Sequence, residues 1–169
     1  MIYFLKYTGI TLISITCICV GISKAYTITE KLIFLETVKT AIITIKQRLI
    51  FTLATPEELF KALMDNNRFN KFEFFKDTEH FITNDGFETG WRQAVENINF
   101  LNNTEKNIII SLADTLGKSD LETQIKQLDL IIDQLDSTIL NQKSNSESSK
   151  RVYTMLGVLS SLALTVLFL

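Results

Sequence analysis

Few side chains in this sequence have the type and spacing that catalysis or metal binding requires. The only histidine is His80, and the two cysteines, Cys17 and Cys19, lie inside an apolar stretch near the amino terminus. One histidine without a nearby thiol does not make a zinc site of the usual kind. The sequence contains no GxxxxGK[ST], GxSxG, HExxH or EF-hand motif. We therefore expect no enzyme activity, no cofactor and no metal ion.

Charged residues do recur at a regular spacing in two places. Lys39 and Lys46 are seven residues apart, and so are Asp129 and Asp136. Carboxylates on one helix face could hold a cation, but lysines at the matching spacing favour ion pairs. If the two stretches are antiparallel helices, Lys39 lies beside Asp136 and Lys46 beside Asp129. Exposed pairs of this kind contribute only about 0.3–0.5 kcal/mol each, so they select a register rather than hold the helices together.

The elements that carry these charges have apolar residues at alternating steps of three and four, which is typical of paired helices. The pairing predicts one aliphatic layer for each apolar position. The five predicted layers are Leu35 with Ile139, Val38 with Leu135, Ile42 with Ile132, Ile45 with Leu128, and Leu49 with Ile125. The fold class predicted is all-α: a membrane-anchored helical bundle with a long antiparallel helix pair and shorter helices packed on it.

Local signals divide the region between the long helices. Thr55-Pro56-Glu57-Glu58 predicts a capping box that starts a helix, and Ser119-Asp120-Leu121-Glu122 predicts a second one. We predict a short helix and a loop over residues 68–86. A helix over residues 87–101 would place Trp91 in the core or, alternatively, in contact with a partner.

Both ends of the chain are apolar, although its net charge is −2 and 21% of its residues are charged. Residues 7–23 carry no charge, and residues 152–169 follow Lys150 and Arg151. We predict two membrane spans, 1–23 and 152–169, around a cytoplasmic helical domain of residues 24–151. A cleaved signal peptide is the alternative interpretation of the first stretch. No basic run long enough to indicate nucleic-acid binding is present.

Two stretches resemble the stage III sporulation protein AB family. Residues 116–124, LGKSDLETQ, resemble its LG-x-S-D-x-x-x-Q segment, and residues 151–159, RVYTMLGVL, resemble the start of its tail anchor. The turn at Thr55-Pro56 and the tryptophan Trp91 also have counterparts in that family. The resemblance extends over the whole chain, in its length and in its order of span, helices and span.

The resemblance implies a role in endospore formation, on the mother-cell side of a channel complex between mother cell and forespore. The family's cytoplasmic domain is similar to the F-type inner-membrane platform protein of type II secretion systems. Such platforms sit over a cytoplasmic ATPase, here sporulation protein AA. The expected partners are therefore the membrane, this ATPase and other channel subunits, and self-association is also expected.

Within the resembling segment, Gly117, Asp120 and Gln124 are candidate residues for ATPase docking. The alternative is that these three residues only cap and pack the turn. Two other functions stay open at this point: a membrane-tethered adaptor hairpin unrelated to secretion, and a tail-anchored extracytoplasmic protein with a cleaved signal.

Overall fold

The computed structural model describes the backbone of residues 2–168, and the side chains of residues 26–144 together with those of residues 16, 152, 155, 156 and 159. In this part of the chain all regular elements are α-helices, so the predicted all-α class is confirmed. The six helices are α1 (Ile2–Thr52), α2 (Pro56–Met64), α3 (Glu73–Asp85), α4 (Phe87–Glu96), α5 (Asn103–Thr115) and α6 (Leu121–Phe168).

The chain divides into two compact units. Residues 33–140 form one unit, which contains α2 to α5 and parts of α1 and α6. Residues 1–32 with 141–169 form the other. The described apolar side chains of this second unit include five that are exposed: Tyr26, Val152, Met155, Leu156 and Leu159.

The predicted membrane spans are residues 1–23 and 152–169. Almost all of their side chains lie outside the described part of the chain. Within the described residues, no helix has a stretch both long and apolar enough to cross a bilayer.

In the unit of residues 33–140, the predicted seam of α1 is buried. Leu35, Val38, Ile42 and Ile45 are 0% exposed. On α6, Leu128, Leu135 and Ile139 are buried as predicted. Two other layer residues of the prediction, Ile125 and Ile132, are only half-buried, and their neighbours Gln124 and Ile131 are buried instead. Full burial of an aliphatic side chain contributes about 1.5–3 kcal/mol, several times the value of an exposed ion pair. The aliphatic seam therefore supplies most of the stability of the two long helices.

The short helices enclose an aromatic core. Trp91 of α4 is fully buried, stacks on Phe87 at 5.9 Å between ring centroids, and meets Phe74 edge-on at 5.6 Å. Phe60 of α2 contacts Trp91 and Phe75 at 6.2 and 6.5 Å. The indole Nε1 donates a hydrogen bond to the carbonyl oxygen of Ile109, 2.8 Å away. The indole ring of Trp91 thus packs inside the bundle, and its N–H has a hydrogen-bond partner there.

Two predicted boundaries are wrong. The sequence predicts a short helix followed by a loop over residues 68–86. Instead, a turn over residues 65–72 leads into α3, which continues to Asp85. Only Gly86, at φ +81°, separates α3 from α4. The helix predicted to reach residue 101 ends at Glu96, whose carbonyl oxygen accepts a hydrogen bond from Lys106 Nζ at 2.7 Å. The capping box of Asn102 with Glu105 then starts α5.

Gly90 of α4 lies against the backbone of α3. A Cβ atom on Gly90 would stand 2.5 Å from Ile82 N and 2.7 Å from Phe81 C. These neighbours are backbone atoms, so neither can move away as a flexible side chain would. The contact between α3 and α4 therefore requires glycine at this position.

Gly90→Ala is expected to destabilise the protein by about 1–3 kcal/mol through overpacking. Helix propensity alone predicts the opposite sign, because alanine is about 1 kcal/mol better than glycine inside a helix. Thermal unfolding followed by Trp91 fluorescence measures the effect. Thr89→Ala, an exposed α4 position, is the control and should stay within about 0.5 kcal/mol of the parent. A Gly90→Ala variant more stable than the parent would contradict the close approach.

Candidate functional site

Four helix ends meet in a region that we call the tip, defined as residues 49–59 and 116–124. Here α1 ends, α2 begins, α5 ends and α6 begins. A Cβ atom on Gly117 would lie 3.3 Å from Pro56 Cγ, so the turn between α5 and α6 packs on the first residue of α2. Gly117 has φ +75°, a conformation that favours glycine.

A groove of about 370 Å³ opens at the tip. Its lining is mostly aliphatic, with polar atoms contributed by the two turns. The lining residues are Leu49, Leu53, Ala54, Thr55, Pro56, Leu59, Leu116, Gly117, Leu121 and Gln124.

The predicted capping box at the start of α2 is confirmed. Thr55 Oγ1 accepts a hydrogen bond from Glu58 N at 3.4 Å, and Glu58 Oε2 accepts one from Thr55 N at 3.0 Å. Pro56 occupies the first helical turn, where its missing N–H would have no helical partner. These contacts fix the start of α2 at the edge of the groove.

Gln124 ties the turn between α5 and α6 to the first turn of α6. Its Oε1 accepts a hydrogen bond from Gly117 N at 3.0 Å, and its Nε2 donates one to the carbonyl oxygen of Ser119 at 2.6 Å. The side chain is only 8% exposed. Both ends of the amide therefore have partners within the protein, and the geometry supports the structural interpretation of Gln124.

Asp120 caps α6, whereas the sequence predicted Ser119 for that role. Asp120 Oδ2 accepts from Thr123 N at 3.1 Å and Oδ1 accepts from Thr123 Oγ1 at 2.8 Å. Because α6 begins at Leu121, the preceding residue is the cap. The hydrogen bonds from the Thr123 side chain and backbone lower the pKa of the Asp120 carboxyl.

Lys118 joins the turn to the short helices. Its Nζ lies 2.7 Å from Glu88 Oε1 and 3.5 Å from Asp114 Oδ1, and Asp114 also pairs with Arg92 at 2.9 Å. The hydrogen bond to Glu88, with the negative charges of Glu88 and Asp114, raises the pKa of Lys118. Sequence reasoning missed this network because the pairs Lys118–Glu88 and Arg92–Asp114 join residues far apart in the sequence.

The lysines of α1 form ion pairs with the aspartates of α6 in the register predicted from the sequence. Lys39 Nζ lies 2.6 Å from Asp136 Oδ1, and Lys46 Nζ pairs with Asp129 Oδ1. In both pairs the lysine side chain is about one quarter exposed and the aspartate about one half. The two contacts are seven residues apart on each helix, so α1 and α6 run antiparallel there.

Three exposed apolar residues at the end of α1 were not singled out in the sequence. Ile50 is 43% exposed, Phe51 85% and Leu53 69%. A signal was present, because the consecutive run Leu49-Ile50-Phe51 cannot place every side chain on one helix face.

Candidate chemistry is sparse in the part of the chain whose side chains are described. There, no group of three or more His, Cys, Asp and Glu side chains could hold a metal ion. His80 is exposed on α3, with its Nδ1 3.5 Å from Asn84 Nδ2.

The fold and the tip together define an all-helical protein whose two long helices are ion-paired in one register. Residues 6–169 match the family model of stage III sporulation protein AB. Because the match covers nearly the whole chain, the protein belongs to the stage III sporulation protein AB family and acts in stage III of sporulation. No curated protein and no solved structure matches the chain.

The cap at Asp120 predicts a specific pH dependence. A carboxyl whose pKa is lower in the folded than in the unfolded state stabilises the fold above the unfolded pKa. That contribution disappears as the pH falls through the folded pKa. Asp120→Ala should therefore lower the unfolding midpoint at pH 7, and the difference from the parent should narrow below the ordinary value of 3.8.

Asp120→Asn is the matched control, because asparagine keeps the capping acceptor but does not titrate. At pH 7 its unfolding midpoint should lie close to that of the parent. Thermal unfolding by circular dichroism between pH 3 and pH 7 measures both variants. If the unfolding midpoints of Asp120→Ala and the parent differ by a constant amount over this range, the assignment of the Asp120 carboxylate as the cap of α6 is contradicted.

Proposed function

We propose that this chain is a membrane-anchored platform subunit of a secretion-like channel complex between mother cell and forespore, and that it docks a cytoplasmic ATPase. The observation that carries the proposal is the family match over residues 6–169, which assigns the chain to stage III of sporulation. The platform role follows from the similarity of that family to the F-type protein of type II secretion systems.

Anchoring in the cell membrane is supported by the sequence. Residues 7–23 and 152–169 are apolar, and basic residues follow the first stretch and precede the second. This distribution favours a cytoplasmic location for residues 24–151 in the mother cell. Two anchors would hold both long helices at the same membrane.

A platform must hold its partners at fixed positions, and the paired helices are suited to that task. The buried seam of α1, from Leu35 to Leu49, resists separation of the helices, and the ion pairs of Lys39 and Lys46 oppose the one-heptad shift that would place Lys39 beside Lys143. Neither feature requires a catalytic group, a cofactor or a metal ion. We therefore propose a role in protein–protein interaction rather than catalysis.

The tip is the proposed docking end for the ATPase. Gly117, Asp120 and Gln124 shape the turn by their backbone conformation and hydrogen bonds. Their contribution to docking would thus be indirect, by holding the groove open. Other channel subunits and further copies of this chain would bind elsewhere on the bundle.

The test is to isolate membranes from sporulating cells that carry a tagged full-length chain. We expect the chain in the membrane fraction, and we expect the companion ATPase, sporulation protein AA, to co-purify with it after mild solubilisation. An equally tagged, unrelated membrane protein is the control. A chain that leaves the membrane fraction would refute the anchors, and purification without the ATPase would refute the docking role.

A further inference from the structure

Leu53 has a backbone conformation that its own side chain opposes. Its φ is +48°, and its N donates a hydrogen bond to the carbonyl oxygen of Leu49 at 3.2 Å to end α1. Glycine is the usual residue just after a helix in this left-handed conformation, because a Cβ atom is strained there. A leucine at this position therefore costs stability relative to glycine.

Burial does not compensate for this strain. Leu53 is 69% exposed, and Phe51, two residues earlier, is 85% exposed. With Ile50, these two residues form an exposed apolar surface that we call the α1 patch (Ile50, Phe51 and Leu53). A leucine that neither suits the backbone conformation nor packs in the core is expected at a surface that binds a partner.

The α1 patch is continuous with the groove at the tip. Leu53 belongs to both, and the groove is lined further by aliphatic side chains such as Leu49, Leu59 and Leu121. A volume of about 370 Å³ suits one or two large apolar side chains of a partner rather than a whole helix. Phe51 would then lie against the body of the partner while the partner's anchors fill the groove.

The charge around the groove limits the chemistry of the partner. Glu57 and Glu58 lie in the first turn of α2, and Asp120 and Glu122 lie at the start of α6. The contact between Gly117 and Pro56 holds these two helix starts side by side.

Three basic residues stand near these four carboxylates, and two of them are already paired. Lys118 is paired with Glu88 and Asp114, and Lys126 with Glu122 at 2.6 Å. The third, Arg48, lies on the last two turns of α1. The rim is thus acidic on balance, and basic groups on a partner would be attracted to it.

We propose that the groove and the α1 patch form the ATPase-binding surface, and that they receive a segment of the ATPase with one or two large apolar side chains flanked by lysine or arginine. This inference rests on the proposed function and specifies its contact surface. The sequence prediction named Gly117, Asp120 and Gln124 as candidate docking residues; Gly117 and Gln124 line the groove, and the structure adds the α1 patch.

Leu53→Gly tests the proposal because we expect it to raise the stability of the chain and to weaken its binding to the ATPase. Removing the strain should raise the unfolding midpoint by about 2–4 °C. Removing the leucine should weaken ATPase binding about tenfold or more. Phe51→Ser should weaken binding similarly without a large change in midpoint. Both are measured on the purified full-length chain, by thermal unfolding and by titration with the companion ATPase.

Leu130→Ser is the matched control, since Leu130 is 59% exposed on α6 outside the tip and its loss should leave ATPase affinity unchanged. Raising the salt concentration from 0.05 to 0.5 M should weaken binding of the parent chain, because screening reduces attraction to the carboxylates. Binding insensitive to salt would overturn the basic character assigned to the partner.

The remaining outcomes separate this inference from the proposed function. If the parent chain binds the ATPase and both tip variants bind equally well, the surface is wrong and the docking role stands. If the parent does not bind, the docking role itself fails. If Phe51→Ser instead abolishes association between copies of this chain and leaves ATPase affinity unchanged, the patch is a self-association surface and the proposal is overturned.

Discussion

The register between α1 and α6 is the constraint on which the unit of residues 33–140 depends. Burial of the aliphatic seam holds the helices together, but aliphatic layers alone tolerate a shift by one heptad. The pairs Lys39–Asp136 and Lys46–Asp129 distinguish the observed register from the one-heptad shift that would place Lys39 beside Lys143. A shift in the opposite direction would still give both lysines a carboxylate partner, Asp129 and Glu122. Small electrostatic terms thus disfavour one of the shifted arrangements that larger apolar terms make similarly stable.

This register also determines what meets at the tip. The end of α1 and the start of α6 come together there, and the packing of Gly117 on Pro56 adds the start of α2. Gln124 and Asp120 satisfy the polar groups of the turn within the protein. The surface proposed for a partner therefore consists of the groove, the exposed apolar residues at the end of α1 and the carboxylates on the rim.

Features that depend on a repeating pattern or a local cap could be predicted from the sequence. The buried seam of α1, the ion-pair partners and the capping box at Thr55 are of this kind, whereas the seam of α6 was only partly predicted. The extent of α3 could not, because its buried face combines Phe75 and Ile82 with a polar residue, Thr78, whose hydroxyl donates to Phe74 O at 2.6 Å. The left-handed conformation of Leu53 is not encoded by residue type, since leucine normally disfavours it.

A double-mutant cycle on Lys46 and Asp129 tests the register most directly. Lys46→Asp and Asp129→Lys should each lower the free energy of unfolding, because each places like charges together, and the double swap should restore most of the loss. The expected coupling is about 0.2–1 kcal/mol, since both side chains are partly exposed. Combining Lys46→Asp with Asp133→Lys, an exposed neighbour, should show less coupling. A double swap no more stable than either single variant would contradict the register.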